Sequence, residues 1–233
     1  MNIKEWEARC VLPIFSTGDN MFELQGNLKF VNVDIDYVKK LHTACSEVYY
    51  MPNEYENKPC IGILVSQGGY KYVLPMTSAK SKHKKWKNSD RDRMLVYEMV
   101  DVNELSSKDI WVKVDDTNVV KHIMSAIDIK KMIPVTDEVI SIVNINHNDN
   151  DTDIENKYKD LLNKEYSFCL KIIDDLIKKA SRIYEKQMRT GKVEMFACDL
   201  PSSLDASLTE ENSLMKLPCK SYCKRALLPC LFI

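Results

Sequence analysis

The sequence predicts an α+β fold. The expected form is a compact, highly twisted, mostly antiparallel sheet with surrounding helices and a long helical segment on the C-terminal side. Three observations predict it. Short apolar runs recur between Leu28 and Ile145, the first of them, Leu28–Asp34, with period-two alternation. Two of those runs flank Gln67-Gly68-Gly69, a short turn that glycines at positive φ permit. From Ile154 to Gly191 the period changes, and Leu162, Tyr166, Cys169, Ile173, Leu176 or Ile177, Ala180 and Ile183 or Tyr184 recur every three or four residues.

Taken in order, Leu28–Asp34 (LKFVNVD) predicts a strand, and Asp34 or Asp36 caps the helix that follows. Tyr37, Val38, Leu41 and Ala44 or Cys45 form its apolar face. Residues 46–57 are polar, tyrosine-rich and interrupted by a proline, which predicts a loop. Cys60–Ser66 and Tyr70–Met76 form a β-hairpin. Residues 79–93 have no apolar period and read as a loop. Further strands are expected at Met94–Val100, Ile110–Val114, Ile123–Ile129, Met132–Val135 and Val139–Ile145, with a polar stretch at 101–109. Asn146–Asp153 is a solvated connector. Asp151 to Asp153 supply the cap of the long helical run and Gly191 its stop. That run is one helix, or two broken near 163–165. Residues 1–27 show no sustained period and read as an N-terminal extension. Residues 199–233 read as a C-terminal extension, so the domain proper spans 28–198.

At 233 residues the chain can bury the core of one domain. Its formal net charge of −1 carries no global signal for nucleic acid, so any such signal has to be local. Eight scattered cysteines without a regular framework, and no signal-peptide pattern, point to reduced thiols in a cytoplasm. No stretch has the length of a membrane span. Cys230-Leu231-Phe232-Ile233 formally fits a prenylation box, a four-residue match that arises easily by chance.

Three motifs fail on their chemistry. Asp149, Asp151 and Asp153 alternate as in a calcium loop, but Ile154 and Asp160 stand where such a loop needs glycine and glutamate. Cys219, Cys223 and Cys230 lack a zinc-knuckle spacing and any nearby histidine. The four histidines have no metal or triad spacing.

The informative stretch is Lys58–Arg93. Lys58 heads one hairpin strand, and the hydroxyl pair Thr77-Ser78 ends its partner, so both share one end of the sheet. Between Lys80 and Arg93 stand seven lysines and arginines against two aspartates. Lys80, Lys82, Lys84, Lys85 and Lys87 can neutralise phosphates, and Trp86 offers a stacking face for an unpaired base. Arg91 and Arg93 complete the patch. His83 lies among them, either as a proton donor or as a solvated side chain. One by one each residue has an ordinary explanation; their shared position favours RNA or single-stranded nucleic acid.

These residues resemble the endoribonuclease toxins of type III toxin–antitoxin systems, the ToxN/AbiQ family. The resemblance rests on LKFVNVDIDYVKKL, then Tyr55-x2-Lys58-x3-Gly62, GGYKYVLPMTSAKSKHKK, IKKMIPV followed by VISIVNI, and the long helix closing on MRTGK. It covers about residues 28–198. Tyr55 lies one residue closer to Lys58 than the family pattern. The resemblance implies a fold related to the Kid/MazF-type toxins and a cytoplasmic, metal-independent endoribonuclease without a cofactor. It also implies inhibition by a repetitive pseudoknot RNA antitoxin, with toxin and RNA alternating in a closed ring, and a role in abortive infection. Lys58, Thr77, Ser78, Tyr55, Lys80 and His83 are the catalytic candidates; Lys82, Lys84, Lys85, Trp86, Lys87, Arg91 and Arg93 are the RNA-binding ones. The alternative is a non-catalytic RNA-binding or regulatory module using the same loop. A third reading gives the work to the cysteine-bearing tail.

Overall fold

The computed structural model describes residues 21–50, 60–67, 69–193 and 197–200. Eight strands form one sheet: β1 Phe30–Val33, β2 Cys60–Gln67, β3 Tyr70–Ser78, β4 Arg93–Asp101, β5 Ile110–Lys113, β6 Val119–Asp128, β7 Ile133–Val135 and β8 Ile140–Ile142. Every pairing is antiparallel. The strand path runs β4-β6-β3-β2-β1-β8, with β5 beside β6 and β7 beside β3. Two α-helices pack on it, α1 Ile35–Ala44 and α2 Asp153–Thr190.

β3 organises the sheet. One edge pairs with β2 from Gly62↔Pro75 to Gln67↔Tyr70. On its other edge β3 takes β7 at residues 71–73 and then β6 at residues 76–78. The change of partner brackets Pro75, which has no backbone N–H to give to a ladder. Side chains alternate along the strand. Tyr72 and Leu74 enter the core under α2, and Met76 packs against it, while Val73 enters the core under α1. Beyond the switch, Ala79 joins a third small cluster with Leu95, Ile123, Ala126 and Trp86.

α1 starts where Asp34 accepts a hydrogen bond from the Tyr37 N–H at 2.9 Å. It buries Tyr37, Val38 and Leu41, and the Tyr37 hydroxyl donates to the Pro134 carbonyl at 2.8 Å. α2 is a single helix of 38 residues. Its cap is Thr152, within the expected 151–153, in a reciprocal box with Glu155, and Asp153 is the first-turn acid. Asn163, at the expected break, instead ties the helix to the preceding connector, donating to the Ile145 carbonyl at 2.7 Å. Gly191 ends the helix in the left-handed region at φ 60°.

Both expected extensions reach into the core. Phe22 is buried edge-on against Tyr72 and Tyr184, at 5.1 and 5.4 Å between ring centroids. Its N–H donates to the Ser181 hydroxyl at 2.8 Å, and Glu23 bridges Ser66 on β2. Residues 21–27 are therefore part of the packed domain rather than an extension outside it; without a period, the sequence could not signal one buried phenylalanine. Leu200 is likewise buried and donates its N–H to Gln187 at 3.2 Å. The remainder of each extension lies outside the described residues.

Gly62 sits where β2 passes closest to β3. A methyl group built on it would lie 2.6 Å from the Leu74 carbonyl oxygen and closer still to Val73 Cγ1. Backbone cannot yield there without breaking the ladder. Gly62→Ala is expected to lose about 1–3 kcal/mol of stability, measurable as a lowered urea midpoint; an unchanged midpoint would refute the close-approach account.

Candidate active site at the open end of the β2–β3 hairpin

Thr77 and Ser78 end β3, and the antiparallel hairpin brings that end beside Cys60, the first residue of β2. Tyr55 and Lys58 lie outside the described residues. Register separates the two hydroxyls. Thr77 stands opposite Ala126, on the face that packs with Trp86, whereas Ser78 stands opposite Ser125, on the α2 face. They share a strand end but not a side of the sheet. A phosphate touched by both has to lie beyond the strand, where β3 leaves the ladder. Ser78 is exposed there and Thr77 is half-buried.

The basic segment is more ordered than a loop. Ser81–Lys85 form a 3₁₀ turn whose N-cap is Lys80. His83, rather than being solvated, is fully buried at the turn's centre. The Lys80 N–H donates to its Nδ1 at 3.1 Å, so Nε2 carries the ring proton. Its ring lies 4.5 Å from Trp86. Burial first, then Lys82 and Lys80, lower its pKa to about 4. The ring is therefore neutral near pH 7, and it fastens the turn to the sheet.

Trp86 is half-buried, its ring engaged by His83 and by the Arg93 guanidinium 4.8 Å away. That packing differs from the open stacking platform expected of it. Arg93 pairs with Asp92 at 2.8 Å, and Asp92 also takes Lys130 at 3.0 Å. Hydrogen bonds from Arg93 and Lys130 outweigh the burial of Asp92 and lower its pKa to about 2. Arg93 is thus largely neutralised at the foot of β4. Lys82, Lys85, Lys87 and Arg91 are exposed and form no ion pair among the described residues. Lys80 and Lys84 are exposed as well, 5.8 Å over the Tyr49 and Trp111 rings respectively.

Four residues that the sequence reading passed over support this end of the sheet. Asp92 is one. Asn88 receives the Leu95 N–H at 2.7 Å and donates to the Leu95 carbonyl at 3.1 Å, standing in for a strand beside β4. Ser125 and Glu165 lie behind Ser78. Glu165 was detectable: it stands three residues after Leu162 and four before Cys169, inside the apolar stripe of α2. His83 and Trp86 also had a signal, their i, i+3 spacing in a 3₁₀ turn. Among the described residues no three His, Cys, Asp or Glu side chains are grouped to hold a metal ion. Cys219, Cys223 and Cys230 lie outside the described residues.

A protein-family model described as toxin ToxN of the type III toxin–antitoxin system matches residues 29–208. Among curated proteins, the chain is similar to Endoribonuclease ToxN of Bacillus thuringiensis subsp. kurstaki. The two are 22% identical over 182 residues, covering 75% of this chain and 80% of that protein. Among solved structures it is similar to a chain from a bacterial type III system in which a non-coding RNA pseudoknot selectively inhibits the toxin. Identity there is 19%, coverage 79% of this chain and 98% of that one, and the TM-score 0.58. It is also similar to AbiQ, a lactococcal anti-phage endoribonuclease of a type III system, at 20% identity, 80% and 99% coverage and a TM-score of 0.54. At those identities the structural likeness establishes the fold.

Because the folded pKa of His83 is depressed, its neutral form contributes stability at pH 7. That contribution is lost as pH falls below the unfolded value of about 6.5 toward 4. Histidine ring NMR should therefore show His83 uncharged at pH 5.5; a charged ring at that pH would contradict the buried assignment.

Proposed function

The chain belongs to the ToxN toxin family of type III toxin–antitoxin systems, and from that premise we propose that it is an endoribonuclease toxin cutting RNA at the open end of the β2–β3 hairpin. The observation that carries the site is the exposed hydroxyl of Ser78 beside the cationic 3₁₀ turn, at the strand end where Lys58 enters. One residue, Pro59, separates Lys58 from Cys60, a reach of about 7 Å in two steps, so connectivity alone keeps Lys58 near that end.

The chemistry is transesterification. The substrate's 2′-hydroxyl loses its proton to solvent water as its oxygen attacks the adjacent phosphorus, the bond to the 5′-oxygen breaks, and the products are a 2′,3′-cyclic phosphate and a 5′-hydroxyl. No cofactor or metal is needed for that step, but negative charge on the phosphorane oxygens must be stabilised and two protons moved. Lys58 holds the scissile phosphate as a cation. Ser78 donates a hydrogen bond to a non-bridging oxygen from the α2 side, and Thr77 does so from the other. Lys80, exposed as the cap of the turn, protonates the leaving 5′-oxygen. His83 positions the turn that carries Lys80; its buried neutral ring suits support better than proton delivery. Tyr55 orients the substrate.

Lys82, Lys84, Lys85, Lys87 and Arg91 track the RNA backbone, and the same surface accepts the repetitive pseudoknot antitoxin. We place toxin and RNA in an alternating closed ring, as the family resemblance implies, with release of the toxin arresting growth during phage infection. Among the described residues no helix is long and apolar enough to cross a membrane, which is compatible with action in the cytoplasm. The working unit is the domain 28–198, with Phe22 and Leu200 completing its core.

Lys58→Ala and Ser78→Ala are each expected to lower RNA cleavage by about 10²–10³ and to abolish toxicity, with RNA binding still measurable. Full activity in both would overturn the site. Cleavage should persist in EDTA and leave cyclic-phosphate ends; loss on chelation would indicate a metallonuclease. Five backbone contacts predict a slope of log affinity on log salt of about −3.5 for single-stranded RNA, and a slope near zero would remove the basic turn from the interface.

A further inference from the structure

Ser78 has an interior counterpart with no assigned work. In the β3–β6 ladder Ser78 and Ser125 are directly opposite, so their side chains share a face. Cross-strand hydroxyls at that spacing can hydrogen-bond. Ser125 is 3% exposed, and its hydroxyl has no hydrogen-bond partner among the described residues. Removing such a hydroxyl normally costs nothing, which makes its presence informative.

On the far side of Ser125 lies Glu165, 6% exposed within the apolar stripe of α2. No ion pair is formed by Glu165 among the described residues, although a buried carboxylate would need one. Its polar neighbour is Ser125, and burial raises the Glu165 pKa to about 7. Cys169, one turn along, is buried and offers no charge compensation. A carboxyl group held there without a cation is a hydrogen-bond donor in its acid form.

We propose that Glu165 and Ser125 are positioning residues for Ser78, a chain of hydroxyl donors running outward from α2 through the sheet to the scissile phosphate. The Glu165 carboxylic acid donates to the Ser125 oxygen, Ser125 donates to the Ser78 oxygen, and Ser78 is left to donate to the phosphate. Each bond polarises the next, so the outermost hydroxyl is both aimed and strengthened as a donor. No proton need leave its oxygen. This inference rests on the assignment of Ser78 to the active site.

The test uses the full chain and four variants: Ser78→Ala, Ser125→Ala, Glu165→Gln and Glu165→Leu. Single-turnover cleavage is measured at saturating enzyme, alongside RNA affinity and thermal midpoint. Ser125→Ala should cut about tenfold more slowly, the weight of one hydrogen bond, with affinity and midpoint unchanged. Glu165→Gln keeps a donor and should retain most activity, while Glu165→Leu should lose it at similar or higher stability. If Ser78→Ala is inactive but Ser125→Ala and Glu165→Leu both cleave at the wild-type rate, the relay is wrong and the site stands. If Ser78→Ala itself remains fully active, the site assignment fails and takes the relay with it.

Discussion

Everything at this site depends on a missing backbone hydrogen at Pro75. A central strand normally keeps one partner on each edge. β3 cannot give an N–H at Pro75, and it changes partner there from β7 to β6 while holding β2 on its other edge. The strand thus belongs to two ladders, and its last three residues are presented at the seam between them. Thr77 and Ser78 owe their position to this switch rather than to any loop. So does the contact between Ser78 and β6, which gives an exposed hydroxyl a buried neighbour. The same strand supplies Tyr72 and Leu74 to one core and Val73 to another, so the site is anchored by both layers of helix.

Electrostatics around the seam divides along burial. Asp92 gathers Arg93 and Lys130 at the foot of β4 and settles them into the structure. The lysines of the 3₁₀ turn stay in solvent, unpaired by acids of the described chain, and so remain free to meet phosphate. A near-neutral protein in this way carries a local cationic face whose charge is not spent on its own carboxylates.

Much of this was legible in the sequence because apolar runs mark the strands and the hairpin carries its own turn residues. The hairpin strands Cys60–Ser66 and Tyr70–Met76 are read from the apolar runs flanking Gln67-Gly68-Gly69, and the helical run to Gly191 from its period. Legibility stopped where one residue departs from its neighbours' character. His83 among lysines resembles a solvated side chain, and only tertiary packing against Trp86 places it inside. Asn163 and Glu165 look like a break in the apolar stripe of α2, yet Asn163 is satisfied by carbonyls and Glu165 is buried beside Ser125. Phe22 is a single anchor in an aperiodic stretch, invisible to any pattern longer than itself. The opposite faces of Thr77 and Ser78 were available from strand alternation. What the sequence lacked was the register that gives each face a neighbour.

The amide of Asn88 has a wider meaning for recognition. By occupying both backbone groups of Leu95 it fills the place where an added strand would begin on the outer edge of β4. A peptide cannot extend the sheet there by main-chain pairing. At Leu95 a ligand is met by side chains, which favours one that presents charge and planar rings over one that presents a backbone ladder.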